Sequence, residues 1–254
     1  GHPALLGPAF VARYQQTVIA NHVAGYVYDG RDFWHFARQL NKWRVAPLTE
    51  VKDALAVGGL NPRPEQGDPV TDLQRGLKHV REHQTIDAAY PILFQPPGVV
   101  MVDGQRVLNT SMTKALKPHP EASQGWGDGF PWIASFLRST YGKQLEYKLA
   151  WIRHAYQGAL LGEFTRGLSV ILVGDTGTGK NFSSKCLWGP LLGGAISAHN
   201  HLVMGSKWND SLCHKALWTL DDVVGQGRAN HKHFTQLLKQ VIANDHLEME
   251  KKFA

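Results

Sequence analysis

The residues whose types and spacing suit chemistry begin with a glycine-rich stretch, GDTGTGKN, at residues 174–181. This stretch matches the phosphate-loop pattern G-x-x-x-x-G-K-[ST] at every fixed position except the last. Glycines let backbone N–H groups turn toward one point and surround phosphate oxygens, and Lys180 would reach the β- and γ-phosphates. The predicted nucleotide-binding residues are Gly174, Asp175, Thr176, Gly177, Thr178, Gly179, Lys180 and Asn181.

The departure from the pattern is Asn181, which stands where a Ser or Thr hydroxyl usually contacts Mg²⁺. The amide oxygen of asparagine is a neutral ligand that a hard cation also accepts, directly or through water. We therefore expect Asn181 to take part in the magnesium site. Reduced hydrolysis is the alternative.

An acidic pair follows a short apolar run at residues 217–222, LWTLDD. A run of this kind indicates a buried strand that places carboxylates at its carboxyl end. In phosphate-loop enzymes one such aspartate holds the Mg²⁺ shell. We assign Asp221 to the metal and Asp222 to the attacking water, so that Lys180, Asp221 and Asp222 are the predicted catalytic residues.

The elements that must position these residues indicate an α/β fold. The apolar run at residues 168–173 predicts a buried strand that leads into the loop, and a helix begins at Gly179. Ahead of them we expect helices over 131–141 and 144–160, the second with Lys148 on its polar face. The expected core is a parallel sheet with the loop after its first strand.

The first half of the chain indicates a separate α+β region. Two apolar runs flank Asp103-Gly104, which predicts a β-hairpin over 97–108. Residues 117–129 are rich in Pro, Gly and Ser, which favours a boundary there. We therefore expect one region at 1–127 and a second region, which carries the phosphate loop, at 128–254.

Composition narrows the class of protein. Two cysteines without a Cys-x-x-Cys pair argue against a zinc ribbon or a disulfide framework and favour a reducing cytoplasm. The net charge of +6 permits a polyanionic partner. No apolar run is long enough to cross a bilayer. The thirteen histidines form no ligand cluster in the sequence, so we expect them to be structural or surface residues.

The order of these motifs resembles that of superfamily-three helicases, and more narrowly of phage- and poxvirus-type primase–helicases. The resemblance rests on the loop, on KWNDSLCHKALWTLDD with Asn209 and Leu212 in an Asn-x-x-Leu piece, and on HFTQLLKQVIANDHLEMEKKFA. It extends from about residue 97 to the end, and it implies an accessory or collar region at 1–127 and a partial ATPase core at 128–254. The family belongs to the AAA+ class of ATPases, so it implies ATP and Mg²⁺ as cofactors. It also implies a ring-forming homo-oligomer, typically a hexamer, that acts as a DNA helicase in replication.

The resemblance also implies a DNA contact after the acidic pair. In the family a hairpin there points into the ring channel, and its lysine grips single-stranded DNA. The matching residues are Lys251 and Lys252, with His246 near the start of the hairpin. Paired lysines on a projecting strand suit sequence-independent phosphate contact. A charged, solvent-facing edge strand is the alternative interpretation.

Two elements of the family, a polar sensor and an arginine finger, do not lie within residues 1–254. We therefore expect this chain alone to hydrolyse ATP poorly. Two other functions stay open, namely a non-hydrolysing module that binds nucleotide or DNA, and a phosphate-loop phosphotransferase. A primase or polymerase domain is an expected partner. The expected location is the cytoplasm of a bacterium or of a virus-infected host.

Overall fold

The computed structural model describes residues 8–64, 67–120, 125–163, 169–221, 234–239 and 241. The chain forms two compact units with mixed α/β structure and small sheets. The first contains Gly1–Pro91 with Pro96–Thr110, and the second contains Ile92–Gln95 with Ser111–Ala254. The units divide after Thr110, whereas composition indicates a boundary at residues 127 and 128.

In its described residues, the first unit has two three-stranded sheets and three α-helices. The strand order in one sheet is β1-β2-β3, all antiparallel, and in the other it is β4-β6-β5, with β4 parallel to β6. In chain order the elements are α1 (Pro8–Val23), β1 (Tyr26–Tyr28), β2 (Phe33–Ala37), β3 (Lys42–Ala46), α2 (Leu48–Val57), α3 (Asp72–His83), β4 (Ala88–Tyr90), β5 (Gly98–Val102) and β6 (Gln105–Asn109).

Strand β2 explains how the first unit is layered. Its neighbours Phe33 and Trp34 point to opposite faces of the sheet because side chains alternate along a strand. Phe33 packs with Val51 and Val80 in a cluster formed with the helices. Trp34 packs with Leu108 in a second cluster, next to the β4-β6-β5 sheet. Both aromatic side chains are therefore core residues.

The predicted β-hairpin is confirmed. Strands β5 and β6 pair antiparallel, and the turn residues Asp103 and Gly104 have φ of 50° and 81°. Two consecutive positive φ values are typical of a type I′ turn, whose twist matches that of the strands.

The second unit contains short elements around the predicted loop. The helices expected over 131–141 and 144–160 are confirmed as α5 and α6. No described helix has both the length and the apolar character needed to cross a membrane. In chain order the elements are α4 (Trp126–Gly129), α5 (Pro131–Tyr141), α6 (Leu145–Leu161), α7 (Lys180–Phe182), a π-helical segment (Ser183–Trp188), α8 (Gly189–Leu191), β7 (Ala195–Ser197), α9 (His199–Leu202), α10 (Asp210–Cys213) and β8 (Leu217–Thr219).

The predicted strand before the loop does not form. Residues 169–173 have no regular secondary structure, and Ile171 and Val173 are 86% and 91% exposed. An apolar run favours a strand only where a neighbouring strand offers a hydrogen-bond ladder. No described strand pairs with this run, so a parallel sheet starting at the loop is not confirmed.

The strand predicted before the acidic pair is confirmed as β8. It pairs with β7 in parallel, with Ala195 opposite Leu217 and Ser197 opposite Thr219. Helices α9 and α10 lie on the connection between the two strands, as parallel pairing requires a crossover. The carboxyl end of β8 leads directly to Asp221.

Lys148 on α6 lies inside the unit, contrary to the sequence prediction. Its side chain is 6% exposed, and its Nζ lies 3.7 Å from the centre of the Trp151 ring. A lysine stem is apolar enough to pack, and an aromatic face partly replaces water around the ammonium group. Burial lowers the pKa of Lys148 to about 8.

Candidate nucleotide-binding site

The glycine-rich loop has the backbone that a phosphate cradle needs. Gly174, Gly177 and Gly179 have φ of 152°, 80° and 88°, a region in which side-chain-bearing residues are strained. Among the described residues, the backbone N–H groups of residues 175–177 and 179 show no hydrogen bond to a protein acceptor. Donors of this kind on a glycine-rich turn suit an anion.

Helix α5 packs against the loop. Thr140 Oγ1 donates to the Thr178 carbonyl at 3.0 Å. A Cβ atom added to Gly179 would lie 2.6 Å from Cε2 of Phe136 and 3.3 Å from Thr140 Oγ1. Glycine is therefore required at position 179 for two reasons, its φ and its contact with Phe136.

The Lys180 side chain folds over the loop. Its Nζ donates to the carbonyls of Gly174 and Asp175 at 3.0 and 2.5 Å, and to Thr178 Oγ1 at 3.0 Å. The ammonium group therefore lies against the loop, where it adds positive charge. The predicted contact of Lys180 with phosphates stays a prediction.

A chain of hydrogen bonds ties the first turn of the following helix to α5. Ser183 is fully buried, and its Oγ donates to the Lys180 carbonyl at 2.7 Å. Because that bond uses the only hydroxyl proton of Ser183, Tyr141 donates to Ser183 Oγ at 2.5 Å. Tyr141 in turn accepts from Trp188 Nε1 at 3.3 Å. These bonds fix the helix start that carries Lys180.

Asp221 contacts the same helix. Its Oδ2 accepts from Lys185 Nζ at 2.8 Å, and both side chains are about half exposed. Lys185 lies five residues after Lys180, in the π-helical segment, and such segments often occur at functional sites. The structure therefore brings the predicted metal ligand onto the helix that begins at the loop.

The two predicted metal ligands, Asn181 and Asp221, would bind through oxygen atoms, which suit the hard cation Mg²⁺ better than a softer metal. Asn181 is exposed, and Asp221 has a half-exposed carboxylate. Mg²⁺ keeps several waters and usually takes only one or two protein oxygens, and the assignment of these two residues to it stays a prediction. Within the described ranges, no group of three or more His, Cys, Asp or Glu side chains is placed to hold a metal.

Four predicted site residues lie outside the described part of the chain, namely Asp222, His246, Lys251 and Lys252. Their roles stay predictions. Of the pair used for the family resemblance, both members are buried, and Leu212 N donates to the Asn209 carbonyl at 2.9 Å. These two residues start and anchor α10.

Several supporting residues were not identified from the sequence. Lys185 and Ser183 gave no signal, because their partners are 36 and 42 residues away along the chain. The sequence did contain a signal for Trp132 and Phe136, since they stand four residues apart on a predicted helix and therefore share a face.

Comparison with protein-family models, with curated proteins and with solved structures finds no match to this chain.

Proposed function

We propose that this chain is the ATPase part of a DNA helicase or translocase that acts in phage, viral or mobile-element replication. The observation that carries the proposal is the loop, a glycine-rich turn with positive φ at three glycines, over which the Lys180 ammonium group folds. Such a turn, followed by a helix that begins at the lysine, suits the triphosphate of ATP.

The chain's own residues would divide the work as follows. The loop N–H groups and Lys180 bind and orient the phosphates, and Asn181 and Asp221 hold the magnesium ion. That ion neutralises charge on the β- and γ-phosphates. Asp222 orients the attacking water. The core that we propose is an AAA+ type parallel sheet, of which β7 and β8 are one pair.

The DNA-related part of the proposal rests on the resemblance and on charge. Lys251, Lys252 and His246 would contact the phosphates of single-stranded DNA without reading sequence. Assembly into a ring homo-oligomer, typically a hexamer, would bring the subunits around the strand. A primase or polymerase domain is the proposed partner, and the cytoplasm the proposed location.

A second function, nucleotide binding without hydrolysis, is favoured by two observations. The Asp221 carboxylate is already paired with Lys185, and Asn181 supplies no hydroxyl. A carboxylate held by a lysine is a weaker ligand for a cation, because the ammonium group competes for the same oxygen. In that case the chain would be an assembly module.

The test is the ATPase rate of the intact protein with and without single-stranded DNA, compared with Lys180→Ala. Lys117→Ala removes an exposed lysine of the same unit and serves as the control. We expect DNA to stimulate hydrolysis in the wild type and the control, and Lys180→Ala to abolish it. Nucleotide binding without turnover would favour the assembly module. Loss of neither binding nor turnover in Lys180→Ala would refute the proposal.

A further inference from the structure

Three aromatic rings adjoin the phosphate loop and form a cluster of Trp132, Phe136 and Phe182. Phe136 is the ring against which Gly179 packs. Trp132 stacks on Phe136 with ring centres 5.8 Å apart and planes 8° from parallel. Phe182, two residues after Lys180, meets both rings edge-on, at 6.4 Å from Trp132 and 5.3 Å from Phe136.

The outer ring of this cluster is open to solvent. Trp132 is 64% exposed, and Phe182 is 43% exposed. Phe136 stacks against the Trp132 ring, and most of the Trp132 surface stays exposed. A large aromatic side chain with an open face next to a polar site often marks a binding surface.

The cluster adjoins the loop at Gly179. Gly179 is part of the predicted phosphate cradle, Phe136 touches it, and Trp132 is one stacked ring further away. The phosphates of a nucleotide bound at residues 174–180 would therefore leave the base within the range of an aromatic ring at this distance. All of these residues belong to the second unit.

We infer that Trp132 is the stacking platform for the base of the nucleotide that the loop binds. This inference rests on the proposed function and adds the base subsite to it. Stacking depends on the π-face, which every base has, so it tolerates different bases. The subsite therefore accepts ATP and GTP alike, and the phosphates supply most of the selectivity.

The test separates the base from the phosphates. Binding of a non-hydrolysable ATP analogue and of inorganic tripolyphosphate, each with Mg²⁺, is measured by calorimetry on the intact protein. We expect Trp132→Ala to lower the affinity for the analogue by roughly 5- to 150-fold, while the affinity for tripolyphosphate stays within about twofold of the wild-type value. Trp132→Phe, which keeps a π-face, should retain most of the affinity for the analogue.

Control variants cover non-specific effects. Tyr147→Ala removes an aromatic side chain that is 75% exposed on α6, and it should change neither affinity. If Trp132→Ala folds poorly, Trp132→Leu keeps an apolar contact with Phe136 without a π-face and allows the same comparison.

Other outcomes overturn the inference. Equal weakening of both ligands would mean that Trp132 only supports the loop, and unchanged affinities would mean that the base lies elsewhere. Weakened binding of a single-stranded oligonucleotide alone would make Trp132 a nucleic-acid contact. If the wild type binds tripolyphosphate as tightly as the analogue, the base subsite is refuted and the phosphate site stands. If the wild type binds neither, both proposals fail.

Discussion

Replacement of Gly179 by alanine tests the loop geometry most directly. The φ of 88° costs an L-residue about 1–2 kcal/mol. The new Cβ would also lie 2.6 and 2.8 Å from two atoms of the Phe136 ring, well inside the ~3.5–4.0 Å of a normal carbon contact. Relief of such an overlap costs about 1–3 kcal/mol. We therefore expect Gly179→Ala to lower the free energy of unfolding by roughly 2–5 kcal/mol.

A matched control isolates the steric part of this loss. Gly177 has a similar φ of 80°, but a Cβ added there meets nothing within 4 Å. Gly177→Ala should therefore cost only the backbone part, about 1–2 kcal/mol. The difference between the two variants is the overlap with Phe136.

A double-mutant cycle with Phe136→Ala provides a second check. Removal of the ring should reduce the cost of Gly179→Ala by about 1–3 kcal/mol, which is the coupling between the two sites. Equilibrium urea unfolding followed by tryptophan fluorescence measures all four proteins. Equal losses for Gly177→Ala and Gly179→Ala, together with zero coupling to Phe136, would refute the packing of the loop on α5.

Two further predictions concern the lysines of the second unit. Because the pKa of Lys148 is about 8 in the folded chain, below the 10.5 of an unperturbed lysine, the unfolded chain binds more protons between these values. The free energy of unfolding should therefore rise with pH across this window. Lys148→Met should remove the rise and increase the free energy of unfolding at pH 7 by roughly 1–3 kcal/mol, measured by thermal unfolding. A steeper rise in the variant would contradict this prediction. Lys185→Met should change stability by less than about 1 kcal/mol, since its ion pair with Asp221 is exposed. The same variant should reach half its maximal ATPase rate at a lower Mg²⁺ concentration, and a higher requirement would argue that Lys185 aids metal binding.

Local signals in the sequence predicted much of the fold. The hairpin at Asp103-Gly104 and the helices α5 and α6 depend on turn chemistry and on periodicity, which neighbouring residues determine. The prediction of a strand ahead of the loop was wrong, because a strand needs a neighbouring strand to pair with. The run at 168–173 has no such partner among the described strands. The prediction that Lys148 lies on an exposed polar face was wrong, because the periodicity of a helix does not reveal what covers that face.

The candidate site was predicted in part. The glycines of the loop have the positive φ values that the pattern favours, and the Lys180 side chain folds back onto the loop, but its contact with phosphates stays a prediction. The pairing of Asp221 with Lys185, and the support of Ser183 by Tyr141, join residues that are distant in the sequence. Single-sequence patterns contain no information on such contacts.

The packing of the second unit also determines when that unit can fold. Thr113 Oγ1 donates to the carbonyl of His214. This hydrogen bond cannot form until a residue 101 positions later in the chain has been synthesised. At a synthesis rate of about 5–20 residues per second, the partner follows roughly 5–20 s after Thr113. The paired strands of the first unit all lie before residue 110, so that unit can fold during this interval. The phosphate loop, by contrast, emerges from the ribosome before β8 does, and its surroundings are completed last.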